Sequence, residues 1–359
     1  MVIEDNRPYT IAGIMSGTSL DGLDLVLCTF QKNAGRWLYE ILKAETIGYP
    51  ETWRRKLTSA TELDTIGFLR LHNEYGEFIG NQVLNFISTS GRSVDLVSSH
   101  GHTIFHQPEN KLTFQLGSGA AIAATCRIST VSDFRINDIA LGGQGAPLVP
   151  IGDELLFSDY RFCLNIGGFA NISHREDSRR VACDLCPVNI VVNNLAQRIG
   201  LELDKDGSMG RNGKIIPPLV DELNALEFYL KTGPKSLGRE WVEERFLPVI
   251  DRYENPLNDL MRSVYEHIAV QISTYINSFR RGEVLVTGGG AYNRFLIELI
   301  SQKLGSTLVI PEKRLVEFKE ALVFGFLGLL RARNEVNCIA SVTGASSDSS
   351  SGVIIDVLR

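Results

Sequence analysis

The stretch "IMSGTSLDGLDLVL", Ile14–Leu27, sets two apolar runs on either side of a small polar loop. An ordinary hairpin closes with about two to five residues. This loop carries Ser16, Gly17, Thr18, Ser19, Asp21 and Gly22. Glycines let backbone N–H groups approach an anion, and hydroxyls add further donors. A carboxylate in such a loop can hold Mg²⁺ directly or through water. The segment reads either as a ligand cradle or as a tight turn, and its neighbours must decide.

Upstream, Tyr9–Met15 reads as a buried strand; downstream, Leu23–Phe30 and Trp37–Ile47 read as the next two. Strands that follow one another without helices imply antiparallel hairpins. Apolar residues then recur at helical spacing from Glu62 to Ile87, and Gly76 and Gly80 suggest a kink. Asp95–Ser99 reads as a short strand ending at His100, Ile122–Thr125 as a short helix and Thr130–Asp133 as another strand. "LGGQGAPLVP", Leu141–Pro150, is the candidate crossing between domains.

Beyond it the pattern partly restarts. Phe162–Ile166 is a strand, "GGFAN" a turn, and Ile172–Arg175 and Val181–Asp184 are strands. Helical patterns cover Val188–Ile199, Pro217–Leu230 and Leu257–Phe279. Glu283–Thr287 runs into "GGGAYN", Phe318–Arg333 is a late helix and Val353–Leu358 a last strand. Two similar halves suggest a duplication with a cleft between them, where a small ligand would sit. Loops rich in small residues follow buried strands at Ser16–Gly22, Gly142–Gly145, Gly167–Asn171 and Gly288–Asn293.

Composition narrows the classes. The chain has 359 residues, 44% hydrophobic and 22% charged, with a net charge of −6. That supports a large core and offers no basic patch for nucleic acid. No apolar run reaches the roughly 18–20 residues of a membrane span. "MVIEDNRPYTIAGIM" has acids where a secretion signal carries bases, so a cytoplasmic location is expected. Six cysteines spread from 28 to 338 are too sparse for a disulfide framework. No G-x-x-x-x-G-K-[ST] is present, which excludes a P-loop NTPase.

"SSHGHTIFHQP" brings His100, His102 and His106 close together, as zinc ligands, pocket groups or loop residues bonded to backbone. "ACDLCPVN" holds Cys183, Asp184 and Cys186; Asp184 ends a strand, where a carboxylate faces the crevice of an open α/β sheet or caps the next helix. "TVSDFRINDIALGGQGAPLVP" supplies Asp133, Arg135 and Asp138, and Arg135 suits either a substrate carboxylate or a structural ion pair.

These segments, with "LNIGGFANIS", "DKDGSMGRNGKI", "PKSLGRE", "TGGGAYN" and "SVTGAS", resemble the anhydro-N-acetylmuramic acid kinases, of the actin, Hsp70 and sugar-kinase superfamily. The resemblance implies an α/β protein of two duplicated actin-like, ribonuclease H-like domains. Each would be a mixed sheet flanked by helices, with a central cleft. The domains would be 1–140 with about 335–359, and 141–334. It implies ATP as co-substrate with Mg²⁺, an amino-sugar substrate, no nucleic-acid or membrane partner, and a homodimer. Ser16, Gly17, Thr18, Ser19, Asp21 and Gly22 would form the first phosphate loop, with Asp21 on Mg²⁺. Gly167, Gly168 and Asn171 would form the second loop, and Gly288, Gly289 and Gly290 would lie by the nucleoside. Arg135 and Glu320 would sit near the sugar. Asp184 would be the general base that directs water onto the anomeric carbon while ATP phosphorylates the freed O6. The family motif there is Asp-Thr-Gly-Pro; this chain has Asp184-Leu185-Cys186-Pro187. A related sugar kinase and a non-catalytic binding paralogue are the competing readings.

Overall fold

The computed structural model describes residues 7–17, 20–177, 179–231 and 235–357. Thr18 and Ser19 therefore lie outside the described residues. The chain divides into two compact units, residues 1–157 with 318–359, and residues 158–317.

Unit 1 is built on a sheet of β1 (Tyr9–Ser16), β2 (Gly22–Asn33), β3 (Arg36–Gly48), β4 (Leu96–Gln107), β5 (Leu112–Leu116), β6 (Thr130–Ser132) and β12 (Val353–Ile355). Its order is β12-β6-β4-β1-β2-β3, with β5 paired to β4. β1, β2 and β3 form an antiparallel meander, and β4 and β6 add in parallel beside β1. Unit 2 repeats the plan with β7 (Phe162–Ile166), β8 (Phe169–Glu176), β9 (Arg179–Pro187), β10 (Glu283–Thr287) and β11 (Thr307–Val309), in the order β11-β10-β7-β8-β9. Here too the first three strands are an antiparallel meander and the last two are parallel. Setting aside β5, which only flanks β4, and the added edge strand β12, five strands of each unit follow the order 3-2-1-4-5 in their chain sequence, the order of a ribonuclease H-like, actin-type domain. The hairpins expected without intervening helices are present in both.

Three expectations need correction. β4 does not stop at His100 but runs on to Gln107 and turns back as β5. The helix Thr65–Ser88 is continuous. Its glycines serve close packing on the helix Gly119–Cys126: a Cβ on Gly76 would lie 2.7 Å from the Ser118 carbonyl oxygen, and one on Gly80 2.6 Å from Thr125 Cβ. Its buried stripe is Leu71, Tyr75, Ile79, Val83 and Phe86, while Ile66 and Leu69 face water.

The unit boundaries fall at 157/158 and 317/318, whereas the sequence reading put them near 140/141 and 334/335. The helix Lys313–Ala332 is interrupted at Phe318, where unit 1 resumes. From there it covers the first sheet. Ser98 donates its hydroxyl to the Phe324 carbonyl, Phe326 packs edge-on against Trp37 at 5.1 Å, and Lys319 pairs with Asp153 at 2.6 Å, both buried. In unit 2 the helix Leu257–Asn277 lays Leu260, Met261, Val264, Ile268, Ile272 and Ile276 into the core, at the 3–4 residue spacing of one helical face.

Candidate functional site

In unit 1 the β1–β2 loop begins at Ser16, whose hydroxyl is buried, 2.7 Å from Tyr49 Oη and 2.8 Å from His102 Nδ1. Gly17 is half-buried and its carbonyl accepts the Leu20 N–H at 3.4 Å. Asp21 is exposed at the end of the loop. Gly22 opens β2, where a Cβ would sit 2.6 Å from the Ile47 carbonyl oxygen. Strand pairing therefore fixes both ends of the loop and leaves Asp21 toward water.

The second feature of unit 1 is built around Arg135. Its Nε and Nη2 donate to His100 Nε2 at 3.0 and 2.8 Å, and its Nη1 donates to the Gly145 carbonyl at 2.6 Å. His100 Nδ1 donates to the Gly101 carbonyl at 2.9 Å, so Nε2 is the accepting nitrogen and the ring is neutral. Burial, reinforced by the Arg135 charge, holds its pKa well below the usual value. Burial also brings Arg135 down to about 10, with Glu320, Cys338 and Asp138 opposing, so it stays charged at neutral pH. The Nε and Nη2 contacts use the side edge of the guanidinium. Nη1 and Nη2 each keep one further N–H, available to an oxyanion.

Glu320 keeps solvent access, yet lost hydration moves its carboxyl upward; Arg135 and Lys319 work against this and Asp24 adds to it. Asp138 organises the loop beside Arg135. Its Oδ2 accepts the Gly145 N–H at 2.7 Å, and its Oδ1 accepts from the Thr343 hydroxyl at 2.7 Å and the Cys338 thiol at 3.1 Å. Gln144 N–H also donates to the Thr343 carbonyl at 2.8 Å. "GGQGAP" and "SVTGAS", about 200 residues apart in the chain, thus form one structure. His106 Nδ1 lies 3.2 Å from Thr113 Oγ1. The three histidines are occupied by hydrogen bonds. Among the described residues no group of three or more His, Cys, Asp or Glu is arranged to hold a metal.

In unit 2, Asp184 lies half-buried near the end of β9, opposite Asn171. The segment 235–237 runs alongside. Asp184 N–H donates to the Lys235 carbonyl at 2.9 Å, and Leu237 N–H donates to Asp184 Oδ2 at 2.8 Å. Oδ1 has no hydrogen-bond partner among the described residues. Burial pushes the carboxyl up from 3.8, partly offset by the Leu237 N–H. A carboxylate with a raised pKa and an uncommitted oxygen is suited to take a proton from water.

Leu185 and Cys186, the departures from Asp-Thr-Gly-Pro, are core residues of unit 2, with 3% and 0% exposure. Neither makes the bonds that hold Asp184. Restoring Thr and Gly would remove buried methyls, bury a hydroxyl and leave a cavity, at a cost of about 3–5 kcal/mol. The Leu185→Thr, Cys186→Gly variant should therefore unfold at markedly lower denaturant than the native protein. An unchanged midpoint would mean these side chains fill nothing.

Gly167 and Gly168 make the β7–β8 turn, and their carbonyls accept from the backbone N–H groups of Asn189, Val188 and Ile190. Asn171 is exposed on β8. Gly288 leaves β10 with φ +83°, and a Cβ there would lie 2.7 Å from the Ile166 carbonyl oxygen. A Cβ on Gly290 would strike Ile166 Cγ2 at 2.2 Å, whereas one on Gly289 would meet nothing within 4 Å. Packing thus requires Gly288 and Gly290 but not Gly289, whose open side is available to a ligand. Asn293, Tyr265 and Asp204 brace this loop: Asn293 Nδ2 donates to Tyr265 Oη at 2.9 Å, and Tyr265 Oη donates to Asp204 Oδ2 at 3.2 Å. The sequence reading did not single out these roles. The available signal was Asp204 opening "DKDGSMG", whose Met209 and Gly210 N–H groups the same carboxylate accepts.

A family model for anhydro-N-acetylmuramic acid kinase matches residues 9–357. Curated relatives bear the same name, three of them as follows. The one from Mannheimia succiniciproducens is 34% identical over 375 residues, covering 95% of this chain and 97% of its own. That from Aliivibrio fischeri is 33% identical, covering 95% and 98%. That from Sulfurovum sp. is 34% identical, covering 93% and 95%. Among solved structures, component A of (R)-2-hydroxyglutaryl-CoA dehydratase from Acidaminococcus fermentans aligns with a TM-score of 0.45 at 11% identity, over 90% of this chain and 99% of that one. The assignment rests on the sequence relatives. The chain belongs to the anhydro-N-acetylmuramic acid kinase family.

Proposed function

We propose that the protein uses ATP and water to convert 1,6-anhydro-N-acetylmuramic acid into N-acetylmuramic acid 6-phosphate, a step of cell-wall recycling. The observation that carries the mechanism is Asp184, desolvated, held by one backbone N–H and with Oδ1 unpartnered among the described residues. In this reading Asp184 takes a proton from water as the water oxygen bonds to C1. The C1–O6 bond breaks with its electron pair on O6. O6 then attacks the γ-phosphorus, and the bond to ADP breaks. One water, one ATP and one sugar become the phosphorylated sugar, ADP and a proton.

Arg135 and Glu320 are assigned to the sugar, Arg135 through its remaining terminal N–H groups. Gly17, Thr18, Ser19, Asp21 and Gly22 of the β1–β2 loop are assigned to the phosphates, with the β7–β8 turn at Gly167, Gly168 and Asn171 as the second phosphate contact; Ser16, expected in the same set, is left out because Tyr49 and His102 engage its hydroxyl. Gly288, Gly289 and Gly290 are assigned to the nucleoside. One exposed carboxylate, Asp21, fits Mg²⁺, which keeps several waters and takes its remaining ligands from phosphate. Mg²⁺ bound there with ATP would neutralise charge developing on the transferred phosphoryl group. We also propose a cytoplasmic homodimer; the six cysteines are buried and too sparse for a disulfide framework, which suits a reducing compartment.

ADP release should be far faster with 1,6-anhydro-N-acetylmuramic acid than with glucose, N-acetylglucosamine or no sugar. Equal rates with all four would sink the substrate assignment.

A further inference from the structure

Four elements of unit 1 meet beneath the β1–β2 loop. Ser16 ends β1, Tyr49 follows β3, Tyr75 comes from the helix Thr65–Ser88 and His102 from β4. Their polar atoms form a buried chain. Tyr75 Oη is 2.5 Å from Tyr49 Oη, Tyr49 Oη 2.7 Å from Ser16 Oγ, and Ser16 Oγ 2.8 Å from His102 Nδ1. Ser16 and His102 are 1% and 4% exposed, and Tyr49 and Tyr75 are 4% and 0% exposed.

Proton counting gives the chain a direction. Each hydroxyl carries one proton, and among these four groups only an imidazole nitrogen can accept without donating. The arrangement that uses all three hydroxyl protons runs from Tyr75 to Tyr49 to Ser16 to His102 Nδ1, with the imidazole proton on Nε2. Burial holds His102 near 4, so this neutral form persists at pH 7. Burial also raises both phenols, which stay protonated. The Ser16 hydroxyl is thus committed inward, and it fixes the residue from which the loop departs.

We propose that Tyr49, Tyr75 and His102 are positioning residues for nucleotide use: through Ser16 they set the direction in which the chain leaves β1 at Gly17. The proposal rests on assigning this loop to the phosphates of ATP. No member of the relay needs to touch a ligand. A buried polar chain terminated by its own acceptor is rigid because each hydroxyl proton has one place to go.

The test is steady-state kinetics with ATP and sugar varied separately, on the full-length protein. Tyr49→Phe keeps the ring and removes one link. Losing a hydrogen bond of about 1–1.5 kcal/mol at the loop should raise KM for ATP roughly tenfold. KM for the sugar should not change. His102→Asn, whose side-chain oxygen can accept from Ser16, should retain a lower KM for ATP than His102→Leu. Asp21→Ala serves as the control on the loop itself. If Asp21→Ala raises KM for ATP and neither Tyr49→Phe nor His102→Leu does, the relay proposal is overturned and the loop assignment stands. If all three leave it unchanged, the loop assignment fails and the proposal with it. If KM for sugar rises in step with KM for ATP in the relay variants, the relay is general scaffolding and the proposal is overturned.

Discussion

Replacing Asp184 with Asn should lower kcat by about four orders of magnitude, the upper end of what general-base assistance contributes. The amide still accepts the Leu237 N–H through its oxygen, so the local fold should persist. It cannot take a proton from water. Sugar affinity should change by no more than about tenfold, ~1.4 kcal/mol, because the assigned role lies in the transition state. The pH profile makes the same point independently. A base works only when ionised, and burial raises this carboxyl above 3.8. Wild-type kcat/KM should therefore fall with decreasing pH at a higher pH than a free aspartate would give. The residual activity of the Asn variant should lack that limb. Activity near wild type in Asp184→Asn would place the base elsewhere.

Arg135→Ala should raise KM for the sugar by about 30- to 1,000-fold, ~2–4 kcal/mol, the scale of truncating one partner of a buried charged contact. KM for ATP should stay near its wild-type value. Arg135→Lys should not rescue, because an ammonium cannot serve His100, the Gly145 carbonyl and a ligand from one planar group. The variant also leaves His100 Nε2 without its donor, so thermal unfolding must show that unit 1 is intact. A rise in KM for ATP with none for sugar would reverse the assignment.

The meanders were legible because hairpin strands carry their own local signal: apolar runs bounded by glycine and polar turns. The extension of β4 was not. "HGHTIFHQ" reads as polar loop, yet His100 and His102 point into unit 1, where each finds a hydrogen-bond partner. A buried histidine looks the same in sequence as an exposed one. Gly76 and Gly80 gave a similar ambiguity, since glycine marks a kink or a close approach equally well and only the neighbouring helix decides.

The site was legible as motifs and illegible as contacts. Asp184 stood out at a strand end, but the Leu237 N–H that holds it lies 53 residues away. Arg135 stood out beside the glycine-rich segment, but its partner His100 is 35 residues back and sits on β4. Ser16 looked like a ligand group because it is a hydroxyl in a small-residue loop. Its neighbours Tyr49 and His102 turn that hydroxyl inward. Periodicity carries no information about such pairings, which depend on strand register and helix packing.

The most direct test of the central claim is to run the native enzyme in heavy-oxygen water and locate the label in the product within the first turnovers, before anomeric exchange. If water attacks C1 and O6 attacks phosphorus, the label appears on the C1 hydroxyl well above an exchange control and is absent from the phosphate. Label in the phosphate, or none at C1 beyond exchange, would contradict the account.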